Sequence, residues 1–106
     1  MVFDSTQKEM LKRDLVACLS GDAEIERIVV FGSFVSSQNP ADMDIAVFQN
    51  SNASYIPLAM KYRRQTRSVA RRIPLDIIPL KIGVTNSSFL KEVESGETVY
   101  ERGSGC

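Results

Sequence analysis

Two apolar segments separated by a glycine and a polar loop place the strongest constraint on how this chain folds. Ile28 to Phe31 are all apolar and rich in β-branched types, which predicts a buried strand. Gly32-Ser33 ends that strand, and a polar loop finishing at Asn39-Pro40 follows. A second predicted strand runs from Asp42 to Phe48, so we expect two adjacent strands joined by a short connection.

The second strand begins with two carboxylates. Because side chains alternate along a strand, Asp42 and Asp44 should project to one face, and Met43, Ile45 and Val47 to the other. Two steps along a strand span about 6.6 Å, and no basic residue separates the two carboxylates. Like charges on an apolar strand are unfavourable unless a cation joins them. Magnesium, a hard ion that prefers oxygen ligands, is the obvious candidate.

Gly32-Ser33 predicts a place for phosphate. A glycine after a strand allows a tight turn and lets a ligand approach the main chain. A short helix starting at Ser33 would direct free backbone N–H groups and the serine hydroxyl outward. Gly-Ser alone, or Asp-x-Asp alone, fits an ordinary turn or an acidic strand end equally well. Together, each on its own predicted strand, they indicate a site for a nucleoside triphosphate and its metal.

The other predicted elements alternate between helix and strand. A first helix over Ser5–Leu19 has Ser5 as its cap and an apolar stripe that includes Met10. The later elements are a helix from about Pro57 to Arg72, a strand over Ile73–Leu80, a loop through Gly83, a helix from Asn86 or Ser87 to Glu94, and a strand over Glu97–Glu101. This order predicts one α/β domain over residues 1–106, with a small mixed sheet, helices packed on it and the site at one sheet end. Residues 103–106 are expected to form a flexible tail.

Asp76 is a third candidate site residue. It is the one carboxylate in the apolar segment Ile73–Leu80, where a buried charge requires a partner. If this strand lies beside Asp42–Phe48, Asp76 would complete a three-carboxylate metal site. The alternative is an ordinary cap or edge residue before a proline.

The long predicted helix is strongly basic. Its positive residues are Lys61, Arg63, Arg64, Arg67, Arg71 and Arg72. One interpretation is a solvated helical face, and the other is a surface that attracts the nucleotide or an acidic partner. The sequence does not decide between them, and no arginine is assigned a catalytic role.

Composition excludes several classes of function. Thirteen basic and thirteen acidic residues cancel, so overall charge gives no support for non-specific binding of nucleic acid or membrane. Histidine is absent, which removes histidine bases, Ser-His and Cys-His nucleophiles and most zinc sites. Cys18 and Cys106 make no disulfide framework, and neither a membrane-length apolar run nor a signal peptide is recognisable. We therefore expect a cytoplasmic protein.

The central segment resembles a known signature. Gly32-Ser33, eight intervening residues and Asp42-Met43-Asp44, after the apolar Ile28–Phe31, is similar to the pattern of the DNA polymerase β-like nucleotidyltransferase superfamily. Its minimal nucleotidyltransferases, single small domains of about this length, are the members most similar to this chain. In that pattern a third carboxylate lies on a later strand, and Asp76 occupies the corresponding position.

The resemblance implies a fold, a chemistry and cofactors. The fold would be the polymerase β-like palm, and the reaction would transfer AMP from ATP to a hydroxyl acceptor. Asp42, Asp44 and Asp76 would bind two Mg²⁺ ions, or Mn²⁺, with Asp76 beside the acceptor hydroxyl. Gly32 and Ser33 would hold the β- and γ-phosphates.

The resemblance also implies a partner. Minimal nucleotidyltransferases commonly pair with small helical HEPN proteins as toxin–antitoxin systems, in which they act as antitoxins by adenylylating or by binding the partner. Family members continue the Gly-Ser-aromatic motif with Ala-Arg-Gly and place a serine before the first aspartate, where this chain has Val35-Ser36-Ser37 and Ala41. An active antitoxin and a catalytically weak binding module therefore both stay open, as does assembly into a homo-oligomer.

Overall fold

Helices and strands alternate along the chain. The computed structural model describes residues 4–82 and 88–102, with only the backbone described at 88 and 89. The elements are α1 (Ser5–Leu19), β1 (Ile25–Phe31), α2 (Ser33–Ser36), β2 (Met43–Gln49), α3 (Tyr55–Gln65), α4 (Arg67–Ala70), β3 (Leu75–Lys81), α5 (Ser88–Glu94) and β4 (Glu97–Glu101).

The strands that the structure describes form one mixed sheet in the order β3-β2-β1-β4. β1 runs antiparallel to both β2 and β4, whereas β2 and β3 are parallel. Parallel neighbours need a long crossover connection, and α3 with α4 provides it. The predicted fold class, a small mixed sheet with helices packed on it, is confirmed.

One face of the sheet carries the main core. Met43, Ile45 and Val47 of β2 are fully buried there, against α1, α3 and α4. Tyr62 of α3 and Leu15 of α1 are fully buried in the same cluster. Burying each aliphatic side chain of this size contributes about 1.5–3 kcal/mol, so this face supplies most of the stabilisation. No helix in the described residues is long and apolar enough to cross a membrane.

The opposite face of the sheet carries a smaller core and the candidate carboxylates. Val29, Phe31 and Ala46 pack there with Val93 of α5. Asp44 precedes Ala46 by two positions, so alternation along β2 places it on this second face. Asp44 therefore lies on the same sheet face as the buried Ala46, at the end of the sheet where β2 begins.

The first helix has the predicted bounds but a different cap. Asp4, not Ser5, caps α1: its Oδ1 accepts a hydrogen bond from the Gln7 N–H (2.8 Å), and Gln7 Oε1 accepts one from the Asp4 N–H (3.0 Å). This reciprocal pair satisfies two free donors, which a serine at the next position could not do. The predicted apolar stripe was wrong at Met10, which is 51% exposed, while Lys12 is 9% exposed. Lys12 can be buried because its ammonium pairs with carboxylates of α1 and β4.

The long basic helix is two helices. The predicted single helix over Pro57–Arg72 instead begins at Tyr55 and ends at Gln65, and α4 follows. Thr66 interrupts it, with its hydroxyl donating to the Tyr62 carbonyl oxygen at 2.8 Å. The φ of −105° and ψ of 17° at Thr66 depart from helical values and mark the break, and the hydroxyl bond to the preceding turn accompanies it.

The strand boundaries also differ from the predictions. β1 begins at Ile25 rather than Ile28, because Ile25 and Arg27 also pair with β2, across a shift in register at Glu26. β2 begins at Met43, so Asp42 lies in the bend just before the strand. The predicted loop through Gly83, the helix start at 86 or 87 and the tail at 103–106 lie outside the described residues.

Candidate functional site

Gly32 turns the chain sharply where β1 ends. Its φ of 75° and ψ of −151° lie in a region that favours glycine. A Cβ at this position would stand 2.4 Å from Oδ2 of Asp44 and 3.4 Å from its Cγ. The main chain of Gly32 is therefore packed directly against the Asp44 carboxylate.

The short helix predicted at Ser33 is present. α2 covers a single turn, and Ser33 at its start is exposed while Phe34 is buried. The N–H groups of Val35 and Ser36 donate to the Gly32 carbonyl oxygen at 3.1 and 3.3 Å. The Ser33 hydroxyl therefore lies on the surface beside the turn, and Phe34 packs α2 against the core.

The three candidate aspartates lie at one edge of the sheet. Asp44 of β2 and Asp76 of β3 are direct register partners in the parallel pair. Neighbouring strands are about 4.8 Å apart, and register partners in parallel strands project to the same face. Asp42 lies two residues before Asp44, in the bend that leads into β2. The structure thus brings together the residues that the sequence predicted, with Gly32 against Asp44.

Asp44 has an unfavourable electrostatic environment. Burial raises the pKa of its carboxyl group above the ordinary value, and the negative charges of Asp42, Asp76 and Glu92 raise that pKa further. Glu92, on α5, is an additional acidic residue that the sequence analysis missed. No sequence pattern identifies it, because Glu92 approaches Asp44 only through the packing of Val93 against the sheet.

Carboxylate oxygens are the ligands that magnesium prefers, so the donor set fits such an ion. Among residues 4–82 and 88–102, no three acidic or cysteine side chains already form a compact metal-binding group. Asp44 and Asp76 share a register position without making a closed ligand set. Mutual repulsion between carboxylates favours such separation.

Lys8 of α1 holds the loop that follows the glycine turn. Its ammonium donates a hydrogen bond to the Ser37 carbonyl oxygen and lies 5.4 Å from the ring centroid of Phe34. The Ser37 hydroxyl in turn accepts from the Asn39 N–H at 3.0 Å. The hydrogen bond from Lys8 to Ser37 joins residues that are 29 positions apart, so no local sequence pattern could have predicted it.

Two surface cavities lie away from these aspartates. One of about 340 Å³ is bounded by Arg27, Phe48 and Ile82, among others. Another of about 360 Å³ lies between α1 and β4, beside Lys12. Charged side chains of both signs line each cavity. Asp42, Asp44 and Asp76 line neither cavity, so the candidate site is the end of the sheet where these aspartates lie.

The sequence matches a family profile over most of its length. The family is described as "Polymerase beta, Nucleotidyltransferase", and the match covers residues 13–104. No curated protein is significantly similar to this chain in sequence.

Solved structures share the fold. A chain in the structure of a tri-AMPylated Shewanella oneidensis HEPN toxin in complex with an MNT antitoxin is 16% identical, with a TM-score of 0.65 over 89% of this chain and 72% of that one. A chain of a toxin–antitoxin structure with AMP-PNP is 15% identical, with a TM-score of 0.65 over 88% and 75%. A putative nucleotidyltransferase from Sulfolobus solfataricus is 19% identical, with a TM-score of 0.56 over 90% and 80%. At these identities the similarity establishes the architecture.

Proposed function

The chain belongs to the polymerase β nucleotidyltransferase family, and from this premise we propose that it transfers AMP from ATP to a hydroxyl group of a protein partner. The transfer neutralises the partner, so the chain acts as an antitoxin. One observation carries the proposal: Asp44 and Asp76 are register partners on parallel strands, and the Gly32 turn is packed against Asp44. The backbone turn that we propose to bind phosphate therefore lies beside the carboxylates that we propose to bind metal.

The three aspartates are suited to divalent cations. Asp42, Asp44 and Asp76 would hold two magnesium or manganese ions, which when bound neutralise phosphate charge and polarise the reacting oxygens. The raised pKa of Asp44 supports this role, since its negative neighbours leave a charge that a cation would compensate. Small side-chain rotations of exposed Asp76 would complete the ligand set.

The other site residues have distinct tasks in the transfer. Gly32 and Ser33 bind the β- and γ-phosphates through main-chain N–H groups and the exposed hydroxyl. Asp76 accepts the proton of the acceptor hydroxyl. The acceptor oxygen then bonds to the α-phosphorus, the bond from that phosphorus to the bridging oxygen breaks, and pyrophosphate leaves. The products are an AMP ester on the partner and pyrophosphate.

The partner is proposed to be a small helical HEPN-type toxin. The similar fold of a chain in the complex of a tri-AMPylated HEPN toxin with an MNT antitoxin supports this choice. The similar chain in a toxin–antitoxin structure with AMP-PNP supports an adenine nucleotide as the donor.

Neutralisation by binding alone is the second candidate function. The presence of Val35-Ser36-Ser37 where the family pattern has Ala-Arg-Gly favours it, because loss of the arginine and the glycine would loosen the loop or weaken phosphate binding. In this alternative the carboxylates contribute nothing to neutralisation, which requires only a complementary surface.

A transfer assay separates the two functions. ATP labelled at the α-phosphate and magnesium are mixed with this chain and with the small helical protein encoded beside it. We expect label on the partner and a loss of about 100-fold or more in Asp42→Asn. Asp14→Asn is the matched control, since Asp14 pairs with Arg72 on the helical side of the fold. It should label the partner at the wild-type rate.

Metal binding and neutralisation complete the test. Calorimetric titration with magnesium or manganese should show binding to wild type that is lost in Asp44→Asn. Growth of cells expressing the partner should depend on intact Asp42. If Asp42→Asn rescues growth as well as wild type and no label transfers, the chain neutralises by binding and the enzymatic proposal fails.

A further inference from the structure

The two helices of the crossover, α3 and α4, each have an exposed side. We define the α3–α4 face as Ile56, Met60, Arg63, Arg64, Arg67 and Arg71. Successive members are three or four positions apart, except for the adjacent Arg63 and Arg64, and all six are exposed. Arg71 follows directly after the last residue of α4. The inward positions of the same helices, Leu58, Tyr62, Thr66 and Val69, are buried in the core. The face is therefore the side of α3 and α4 that the fold itself does not use.

The first half of the α3–α4 face is apolar. Ile56 is 70% exposed and Met60 is 53% exposed, and the adjacent Tyr55 is 53% exposed. They are half of the large exposed hydrophobic residues in the part of the chain that the structure describes. Exposed apolar residues that cluster on one helix are typical of a contact surface rather than of scattered surface residues.

The second half carries uncompensated positive charge. The side chains of Arg63, Arg64, Arg67 and Arg71 form no ion pair or hydrogen bond with any described residue. The other two basic residues of the segment are engaged: Lys61 lies 2.8 Å from Asp22 and 3.1 Å from Glu24, and Arg72 lies 2.6 Å from Asp14. Of the six basic residues in the predicted helix, these four arginines are therefore the candidates for binding a partner.

The basic end of the face lies at the sheet edge that carries the aspartates. Arg71 precedes Pro74 by three positions, and the Pro74 carbonyl oxygen accepts a hydrogen bond of 2.9 Å from the N–H of Met43. Met43 lies between Asp42 and Asp44. Since α3 and α4 pack on the sheet face opposite to Asp44, a macromolecule lying along them would reach the end of the sheet where β2 and β3 begin and would pass around it to meet the carboxylates.

We propose that the α3–α4 face docks the acceptor protein, through an apolar patch on that protein followed by a cluster of carboxylates. This proposal rests on the proposed function, because the face can dock an acceptor only if the chain transfers AMP to a protein. Protein is favoured over nucleic acid because two of the six residues of the face, Ile56 and Met60, carry an aliphatic or thioether side chain. In addition, no aromatic side chain lies among the four arginines to stack on bases. Apolar contact near Ile56 gives affinity, and the arginines orient the acceptor toward the site.

The test uses a probe of the stated chemistry. The probe is a helical peptide of about 20 residues with a leucine stripe followed by glutamates, long enough to be helical in water. It is titrated into isotope-labelled protein without nucleotide or metal, and amide resonances are followed by NMR. We expect shifts confined to residues 55–71. A peptide with lysine in place of each glutamate should produce no such shifts.

Two double variants form a matched pair. Met60→Glu/Arg63→Glu alters the face, and Met10→Glu/Arg13→Glu makes the same two changes at the same spacing on α1. Met10 and Met60 are 51% and 53% exposed, and both arginines are exposed. The first variant should weaken peptide binding by about tenfold or more, and the second by less than about twofold.

Each remaining outcome counts against the docking surface. Equal binding of the lysine peptide, shifts outside residues 55–71, an absence of shifts, or equal affinity in both double variants would overturn the proposal. Tighter binding of a single-stranded RNA of about 20 nucleotides at the same resonances would assign the face to nucleic acid. Asp42→Asn must bind the peptide like wild type. If it does and the wild-type chain transfers no label to the partner, the proposed function fails alone. If Met60→Glu/Arg63→Glu still labels the partner fully, docking fails alone.

Discussion

The α-carbon of Gly32 lies against the carboxylate of Asp44, so that a methyl group on Gly32 would stand 2.4 Å from Asp44 Oδ2. The turn and the carboxylate therefore cannot be altered independently. A side chain on the glycine must either displace the aspartate or move the strand end, and both changes disturb the site.

Gly32→Ala is predicted to destabilise the fold by about 1–3 kcal/mol, since alanine rarely adopts a φ of 75° and meets Asp44. Urea denaturation measures the effect. Gly21→Ala is the control, because a Cβ there meets nothing within 4 Å. Asp44→Ala added to Gly32→Ala should recover part of the loss. Strict additivity of the two substitutions would mean that the contact carries no energy.

Asp44→Asn is predicted to stabilise the metal-free protein near neutral pH. Burial and the charges of Asp42, Asp76 and Glu92 raise the folded-state pKa of Asp44, so its ionised form opposes folding. That penalty is fully present above the raised pKa and vanishes below the ordinary value of 3.8.

Urea midpoints measured in a chelating buffer test this prediction. The variant should exceed wild type at about pH 7 and match it at about pH 3, whereas Asp14→Asn should show no such gain. Magnesium should then stabilise wild type and leave Asp44→Asn unchanged. A gain that persists at low pH would show that charge is not its origin.

Lys8→Met is predicted to weaken binding of the nucleotide more than the chemical step. The Lys8 ammonium donates to the Ser37 carbonyl oxygen and lies over Phe34, so it positions the loop without lying among the aspartates. Losing one such hydrogen bond costs about 0.5–1.5 kcal/mol, or about 3–10-fold in KM for ATP. Lys8→Arg should restore KM, and Lys91→Met, on exposed α5, is the control. An unchanged KM would remove Lys8 from the site.

Tyr62→Phe is predicted to destabilise the fold by about 1–2 kcal/mol, as its buried hydroxyl donates to Glu24 Oε1 at 3.0 Å. Burial, the hydrogen bond to Glu24 and nearby negative charge raise the pKa of Tyr62, which keeps the hydroxyl protonated and donating. Tyr55→Phe, at a residue 53% exposed, should change stability by less than about 0.5 kcal/mol. Comparable losses in both variants would contradict a role for the buried bond.

From the sequence, the adjacency of Asp44 and Asp76 was conditional on their two strands lying side by side, and the family resemblance indicated that arrangement. The structure pairs the two residues in register, and the rules of chain connection give the physical reason. A helical crossover between two apolar strands makes them parallel and brings their starts to one edge. Gly32 could be predicted for the same reason, since it ends the strand beside them. The apolar pattern of β2 and β3 limits the possible registers, and the structure shows the one that places Asp44 opposite Asp76.

Other features depend on contacts that sequence patterns do not contain. Lys8 reaches a loop 29 positions away, and Glu92 approaches Asp44 only through the packing of Val93. The choice of Asp4 over Ser5 as the cap depends on which residue finds the reciprocal amide of Gln7. Each is decided by competition between local alternatives in three dimensions.

The position of β3 at the end of the described sheet has a consequence for handling the protein. An edge strand offers unpaired backbone groups on which another chain can add and start aggregation. Pro79 in β3 lacks an N–H, and Asp76 and Lys81 place charges near the two ends of the strand, so strand addition is disfavoured. Replacing Asp76 removes one of the charges that disfavour strand addition, together with a candidate metal ligand. Precipitation of such a variant would therefore reflect an exposed edge and not a failure of the chemistry.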